Sequence, residues 1–369
     1  MNQNQHDYQK VRIWLLFVYF TILLMVVVGG ITRLTGSGLS IVDWRPITGA
    51  IPPLNEMDWM SEFDKYKASP QFKEVNFMMS LGAFKQIYFW EYIHRLLGRL
   101  IGVIFFVPLI YFWIKKQLTG PLLVRGLIAM VLGGLQGALG WFMVKSGLVK
   151  DPAVSHFRLA AHLSLAFFVG QYLLWFYLDL KHLDLSKKSI DQTHTDQTHT
   201  DQQGKAFPFL NATLAYLALL CLQIVYGAFM AGKKAGSLYN TFPLMAGSIL
   251  PESVTQSSES MTHFLFENPH SIHWIHRSLA WLVLIFGVIL FTRIRADLSL
   301  NTSVKKSSLM FLIALVMQFT LGALTVLLNV QISVATIHQG MAYLLLSSVV
   351  VLIHRFRKSK LKVEFKNLS

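Results

Sequence analysis

Charge is scarce in this chain. Only 14% of its 369 residues are Asp, Glu, Lys or Arg, where a soluble domain carries about 25%. That deficit argues against a water-soluble globule. Acidic residues are scarcer than basic ones, 19 against 33, and the formal net charge is +14. Cysteine is almost missing. With Cys221 alone an intramolecular disulfide is excluded, and its place inside a long apolar run suits a small apolar filler better than a reactive thiol.

What fills the space is hydrophobic sequence, 53% of the residues, gathered in blocks. A helix needs about 20 apolar residues to cross a bilayer. Blocks that qualify are 11–31, 89–114, 122–144, 159–178, 207–231, 272–291, 309–328 and 334–353. They predict an all-α membrane protein of eight transmembrane helices. The first block is longer than a signal-peptide core and no A-x-A site follows it, so it reads as a retained helix. With the N-terminus in the cytoplasm, 19 Lys and Arg fall in inside segments and 10 in the longer outside segments, while Arg33, Arg95, Arg99 and Arg277 lie at or within helices. This is the positive-inside bias, and it puts both termini in the cytoplasm. The basic tail needs no nucleic acid as partner, because anionic lipid at the inner leaflet would hold it.

Residues 179–206 are polar and contain the tandem repeat DQTHTDQTHTDQ at 191–202. Nothing apolar interrupts the repeat, so the segment reads as a disordered cytoplasmic linker, and its His194 and His199 as solvated. The linker divides four helices (1–178) from four helices and a basic tail (207–369). The halves match at three places. Gly30 to Pro46 reads GITRLTGSGLSIVDWRP and Gly227 to Pro243 reads GAFMAGKKAGSLYNTFP; EYIHR at Glu91–Arg95 matches HWIHR at His273–Arg277; RLAAHL at Arg158–Leu163 matches ATIHQG at Ala335–Gly340. Each half has an even number of helices, so this is a parallel repeat, which predicts two four-helix bundles about a pseudo-two-fold axis along the membrane normal.

Ionisable residues within membrane helices are costly and point to function. Four of the 13 histidines qualify: His94, His162, His276 and His338. Each lies near the outer start of an even-numbered helix, on the order of 5–12 Å below the surface at the helical rise. Packing alone rarely places four imidazoles at one depth. Zinc sites draw ligands at close spacing and add cysteine or carboxylate. Imidazoles paired across a bundle suit the axial positions of a haem iron. Gly98, Gly102, Gly133, Gly134, Gly137 and Gly140 would let a flat ring approach the backbone, and Phe89, Trp90, Trp141 and Phe168 could pack on it, although each also suits plain helix packing. Arg95 and Arg277 follow histidines directly and Arg158 precedes His162 by four; arginine binds carboxylates such as haem propionates, while snorkelling serves Arg158 equally well. Glu91 sits three residues before His94, on its face of the helix, where the second half has His273. Two readings stay open for it: a partner that orients His94, or a group beside a substrate that handles charge or a proton. The half with the carboxylate is the better place for chemistry. His263, His270, His273 and His276 match no compact ligand pattern, and His156 lies too near the surface for an axial ligand.

The strings GGITRLTGSGLSIVDWRPITGAIPP, EYIHRLLGR, FRLAAHL, NTFPLMAG, IHRSLA and ATIHQGMA, in this order over nearly the whole chain, resemble the haem A synthase family in its proteobacterial and mitochondrial form. The repeat linker lies outside the pattern. Some members of the wider family carry a cysteine pair in an outer loop, and this sequence has none, so no role for such a pair transfers. The resemblance implies oxidation of a haem O methyl group to a formyl group by successive hydroxylations, giving haem A for cytochrome c oxidase. It implies a haem b iron held by His276 and His338, substrate haem O between His94 and His162, and a catalytic role for Glu91. It further implies a bacterial inner-membrane location with the haem sites toward the periplasm. A haem O synthase (farnesyltransferase) would be the supplier, with the oxidase assembly machinery and an electron partner beside it. Two other classes stay open on the residues alone: a di-haem electron-transfer cytochrome and a haem carrier. The oligomeric state, a homo-oligomer included, is not legible.

Overall fold

The computed structural model describes residues 8–45, 48–148, 152–190, 207–255 and 260–366. Its long helices are α1 (Gln9–Leu34), α4 (Leu81–Ile114), α5 (Gly120–Gly147), α6 (His156–Ile190), α7 (Phe207–Gly232), α10 (Pro269–Ala296), α11 (Thr302–Leu327) and α12 (Ile332–Lys366). Short helices α2 (Glu56–Lys67), α3 (Pro70–Glu74), α8 (Glu252–Thr255) and α9 (Met261–Phe266) lie in the two long loops. Among the described residues the only β pairing is an isolated bridge between Met245 and Ser248. Each of the eight long helices holds a stretch long and apolar enough to cross a membrane. The chain is a multi-pass α-helical membrane protein.

The helices outrun the apolar blocks. Ser80 caps α4 nine residues ahead of the predicted block, its hydroxyl accepting from the Ala83 N–H. Asn268 caps α10 through the His270 and Ser271 N–H groups, with Pro269 in the first turn, and Asn301 caps α11 through Val304; these are the residue types that satisfy free N–H groups at helix starts. At the other end α6 continues to Ile190. No Gly or Pro interrupts 181–190, so a helix already nucleated in the membrane propagates through polar sequence. The first part of the expected linker is therefore helical. The repeat, with His194 and His199, lies outside the described residues.

α1, α4, α5 and α6 pack as one group, and α7, α10, α11 and α12 as another. The groups meet through α1 on α12, α6 on α7 and α6 on α12. Exchanging the halves turns the first of these contacts into the second and leaves the third in place. The shared core contains Tyr216, Tyr343, Phe176 and Phe311, all fully buried. The Tyr19 and Ser347 hydroxyls are 2.6 Å apart across the α1–α12 contact. Toward the ends of the helices that carry the termini, Asp179 on α6 accepts from Arg125 of α5 at 3.0 Å and pairs with His354 of α12 at 3.0 Å. Arg12 of α1 pairs with Asp184 at 3.0 Å. Three helices are thus pinned to α6 where the apolar packing thins.

The opposite end carries the long loops. In the first, Tyr66 and Phe84 are fully buried and stack at 5.2 Å, which seats α2 on α4. Gln71 donates to the Gly36 carbonyl at 3.1 Å and accepts from the Tyr66 hydroxyl at 3.0 Å. The loop is a packed lid over the start of α4.

Candidate functional site

The four histidines lie on α4, α6, α10 and α12, all near the loop end, and all are partly buried. They associate within halves. His94 neighbours His162, and His276 neighbours His338. Each imidazole lies against a glycine of the helix that precedes its own in the bundle. A Cβ on Gly29 of α1 would stand 3.1 Å from His94; on Gly140 of α5, 2.9 Å from His162; on Gly227 of α7, 3.1 Å from His276; and on Gly322 of α11, 3.0 Å from His338. Separations this short lie inside ordinary van der Waals contact, so the glycines are a packing requirement of the histidines. The glycine opposite His94 is Gly29, one residue before the Gly30 at which the two exit segments align.

A second signal repeats with the glycines. Four residues before three of them stands a glutamine: Gln136, Gln223 and Gln318. Gln136 Nε2 donates to the His162 carbonyl at 3.0 Å and approaches the ring Nδ1 at 3.1 Å. Gln223 Nε2 is 3.5 Å from His276 Nε2. For His276 and His338, Nδ1 has no hydrogen-bond partner among the described residues. The Q-x-x-x-G spacing was legible in the sequence and escaped a reading centred on the histidines.

Glu91 is 2% exposed. Its Oε2 accepts from the Ser40 hydroxyl at 2.7 Å and the Ile41 N–H at 2.9 Å. Its Oε1 accepts from Arg95 Nη2 at 2.7 Å and Nε at 3.1 Å. Arg95 also donates to the Ile41 carbonyl at 2.8 Å and the Asp43 carbonyl at 3.2 Å. The pair fastens the segment after α1 to the face of α4 that carries His94. The second half keeps the arginine and changes the rest. Arg277 donates to the Thr241 carbonyl at 2.9 Å and the Pro243 carbonyl at 2.8 Å, fastening the segment after α7 in the same way. His273 is fully buried under the Tyr239 ring at 5.5 Å.

The remaining candidates are dispersed. Arg158 donates to the Phe142 carbonyl at 2.7 Å and lies over the Phe142 ring. Phe89 and Phe168 are exposed and stand about 140° and 120° around their helices from His94 and His162 at the helical period, so they are not on the histidine faces. Trp141 is exposed beside Trp44 at 6.4 Å. His156 Nε2 donates to the Phe266 carbonyl at 2.8 Å and tethers α6 to the second long loop. His270 Nδ1 is 2.8 Å from the Tyr239 hydroxyl. Among the described residues no three His, Cys, Asp or Glu side chains gather as a metal site. Outside the membrane helices, Lys233 beside Glu267 holds that carboxyl below its usual range, and Lys65 does the same for Asp43.

The structure thus defines a multi-pass helical membrane protein with two pairs of neighbouring histidines, one in each half. Residues 12–350 match the family model described as cytochrome oxidase assembly protein. The haem A synthase of Flavobacterium psychrophilum is 41% identical over 95% of this chain and 99% of its own length. That of Nitrosospira multiformis is 41% identical over 95% and 94%, and that of Wolbachia pipientis wMel 38% identical over 97% of each. The chain belongs to the haem A synthase family of membrane oxidoreductases.

Proposed function

We propose that this chain oxidises a methyl group of haem O to a formyl group through successive hydroxylations, producing haem A for cytochrome c oxidase. The substrate lies between His94 and His162, and a resident haem b lies between His276 and His338. The observation that carries the reading is the pair of neighbouring histidines in each half, accompanied by the buried Glu91 carboxylate in the first half.

The residues present fit a haem. Two imidazoles per half, with no third protein ligand among the described residues, suit a group that brings its own equatorial donors. Cβ atoms on Gly102, Gly133, Gly134 and Gly137 would meet nothing within 4 Å, so the helices of the first half leave room at those positions for a flat apolar body. When bound, the iron and macrocycle supply the redox reactivity, and the protein supplies position and field. His94 and His162 orient the substrate across the bundle. The Glu91–Arg95 pair holds the 37–45 segment against the start of α4, and Arg277 holds 241–244 in the second half, so each site is roofed against water. Glu91 enters the reaction through its negative charge next to the substrate half; the matching position, His273, carries none when neutral. We further propose that the two halves are related by a pseudo-two-fold axis and that both termini face the cytoplasm of a bacterial inner membrane. The sites then lie toward the periplasm, and a haem O synthase acts upstream.

The test is expression with a source of haem O, followed by extraction of the pigments. A formyl-bearing haem is expected, and Glu91→Ala stops or stalls it while haem b stays bound. His276→Ala or His338→Ala loses the stably bound haem b. Normal haem A formation by Glu91→Ala refutes the role of that carboxylate, and haem b that disappears only with changes at His94 or His162 reverses the assignment of the halves.

A further inference from the structure

The two halves differ at the gap between the helix that carries the first histidine of each pair and the helix that follows it. His276 and Gly322 stand 182 positions after His94 and Gly140, so α10 and α11 are in register with α4 and α5. At that displacement Arg99, Gly102, Gly133 and Gly137 become Trp281, Leu284, Leu315 and Phe319. In the exit segments, the residue before the aligned proline changes from Arg45 to Phe242.

In the second half these positions are filled. The Trp281 and Phe319 rings meet at 4.8 Å across α10 and α11, and the Phe242 ring lies 6.0 Å from each, all within the range of favourable ring pairs. Leu315 is buried and packs on Gly287 of α10. In the first half the same positions are open. Cβ atoms on Gly102, Gly133 and Gly137 would meet nothing within 4 Å, and Arg99 turns away to the loop, donating to the Arg45 carbonyl at 2.8 Å. Gly133 and Gly137 stand about 20° and 60° around α5 from Gly140 at the helical period, beside the face that touches His162. The opening has a floor and a rim. Toward the inner end Leu109 of α4 closes on Gly126, where a Cβ would stand 2.6 Å from it, about 16 Å along α5 from Gly137 at the helical rise. One turn above Gly137 the Trp44 and Trp141 rings stand 6.4 Å apart. Between floor and rim, the exposed Gly102, Gly133 and Gly137 give an apolar gap that opens sideways at membrane depth.

We infer that the Phe242–Trp281–Phe319 cluster sets the haem specificity of the second half by excluding a farnesyl-derived tail, and that the gap between α4 and α5 receives that tail in the first half. This rests on the reading that haem O lies in the first half and haem b in the second. Haem O carries the tail and haem b does not, so two otherwise similar macrocycles must be sorted by it. Such discrimination is built by filling the space that the wrong ligand needs. The three rings fill it in one half, and the glycines clear it in the other.

The test titrates the purified full-length protein in detergent with haem O and, separately, with haemin, follows absorbance, and extracts the pigments to count each haem. Wild-type protein is expected to take haem O in the first half only, a binding that His94→Ala or His162→Ala weakens. Gly137→Phe weakens haem O binding by about tenfold or more, the cost of forcing bulk into an occupied space. It leaves haem b content unchanged, which reports a folded chain, and binds haemin, which has no tail, as the wild type does. Phe319→Gly combined with Trp281→Ala does the reverse: haem O enters the second half and displaces haem b. Wild-type haem O affinity in Gly137→Phe overturns this inference alone, and so does an equal loss of haemin and haem O, which assigns the effect to the macrocycle. Where Gly137→Phe also loses haem b, the double variant decides, and refusal of haem O by its second half overturns the inference. Haem O binding indifferent to His94→Ala and His162→Ala overturns the placing of the substrate in the first half, and this inference with it.

Discussion

Replacing Gly322 by alanine separates the demands of the fold from those of the bound group. In a helix interior, alanine is favoured over glycine by about 1 kcal/mol, so α11 itself should gain. The new Cβ would stand 3.0 Å from His338 Cε1. Relief to an ordinary contact moves the ring by about 0.4 Å, beyond the tolerance of about 0.2 Å in metal–ligand distances. A weakening of haem affinity by about tenfold, the low end for groups behind a metal ligand, removes about 1.4 kcal/mol of the stabilisation that the bound haem contributes. On the proposed reading, with haem b between His276 and His338, the variant folds and inserts normally but carries less haem b. The assay is the haem-to-protein ratio of the purified protein, with its thermal unfolding in detergent measured with and without added haemin. Gly82→Ala is the control, since the atom nearest its Cβ is 3.9 Å away. A Gly322→Ala protein with full haem and an unchanged spectrum refutes the claim that the glycine exists for the histidine.

Glu91→Ala leaves Arg95, 13% exposed at its side chain, without its carboxylate, a loss of about 3–5 kcal/mol for a broken buried pair; hydrogen exchange in 37–45 should rise, and unchanged exchange refutes the fastening role. Glu91→Gln keeps an acceptor for Ser40 and Ile41 and is expected to loosen the segment less. Asp179→Asn weakens its contacts to Arg125 and His354, and detergent melting should register about 1–3 kcal/mol, the range for hydrogen bonds to charged groups. Glu267 is held below its usual carboxyl range of about 4.5 by Lys233, so its contribution is full above that range and is lost as pH falls through the folded value. Exchange in 260–268 should therefore rise on acidification below pH 4.5, and Lys233→Met should abolish that pH dependence.

The eight spans and the four histidines were legible because a bilayer admits few solutions: apolar length marks the helix, and an imidazole within it stands out against its neighbours. The partners of those residues were not. Glu91 and His94 share a helix face by spacing, yet the carboxylate oxygens go to Ser40, Ile41 and Arg95, because a loop folded back over α4 offers donors that helical periodicity does not contain. Phe89 and Phe168 looked suited to a macrocycle by type, and their angular positions turn them elsewhere. The polar stretch 181–190 read as linker because composition reports solubility, while helix propagation depends on what precedes it.

The duplicated sites are not independent, and the reason lies in α1. Its Gly29 touches His94, and a Cβ on its next residue, Gly30, would stand 3.2 Å from Gln339 Oε1, beside His338 in the other half. Gln339 Nε2 donates to the Val26 carbonyl of the same helix at 2.8 Å. One turn of α1 therefore serves as a wall for the first pair of histidines and as an anchor for the second. Gly30 is buried and so is Val26, which leaves α1 little freedom to shift without moving α12. A movement of His94 would therefore press on a helix braced against the other half, and α7, whose Gly227 touches His276, packs on α6 in the same way. The two histidine-bearing ends are therefore coupled through one turn of α1: a side chain at Gly29 would displace His94, and one at Gly30 would displace Gln339, the neighbour of His338.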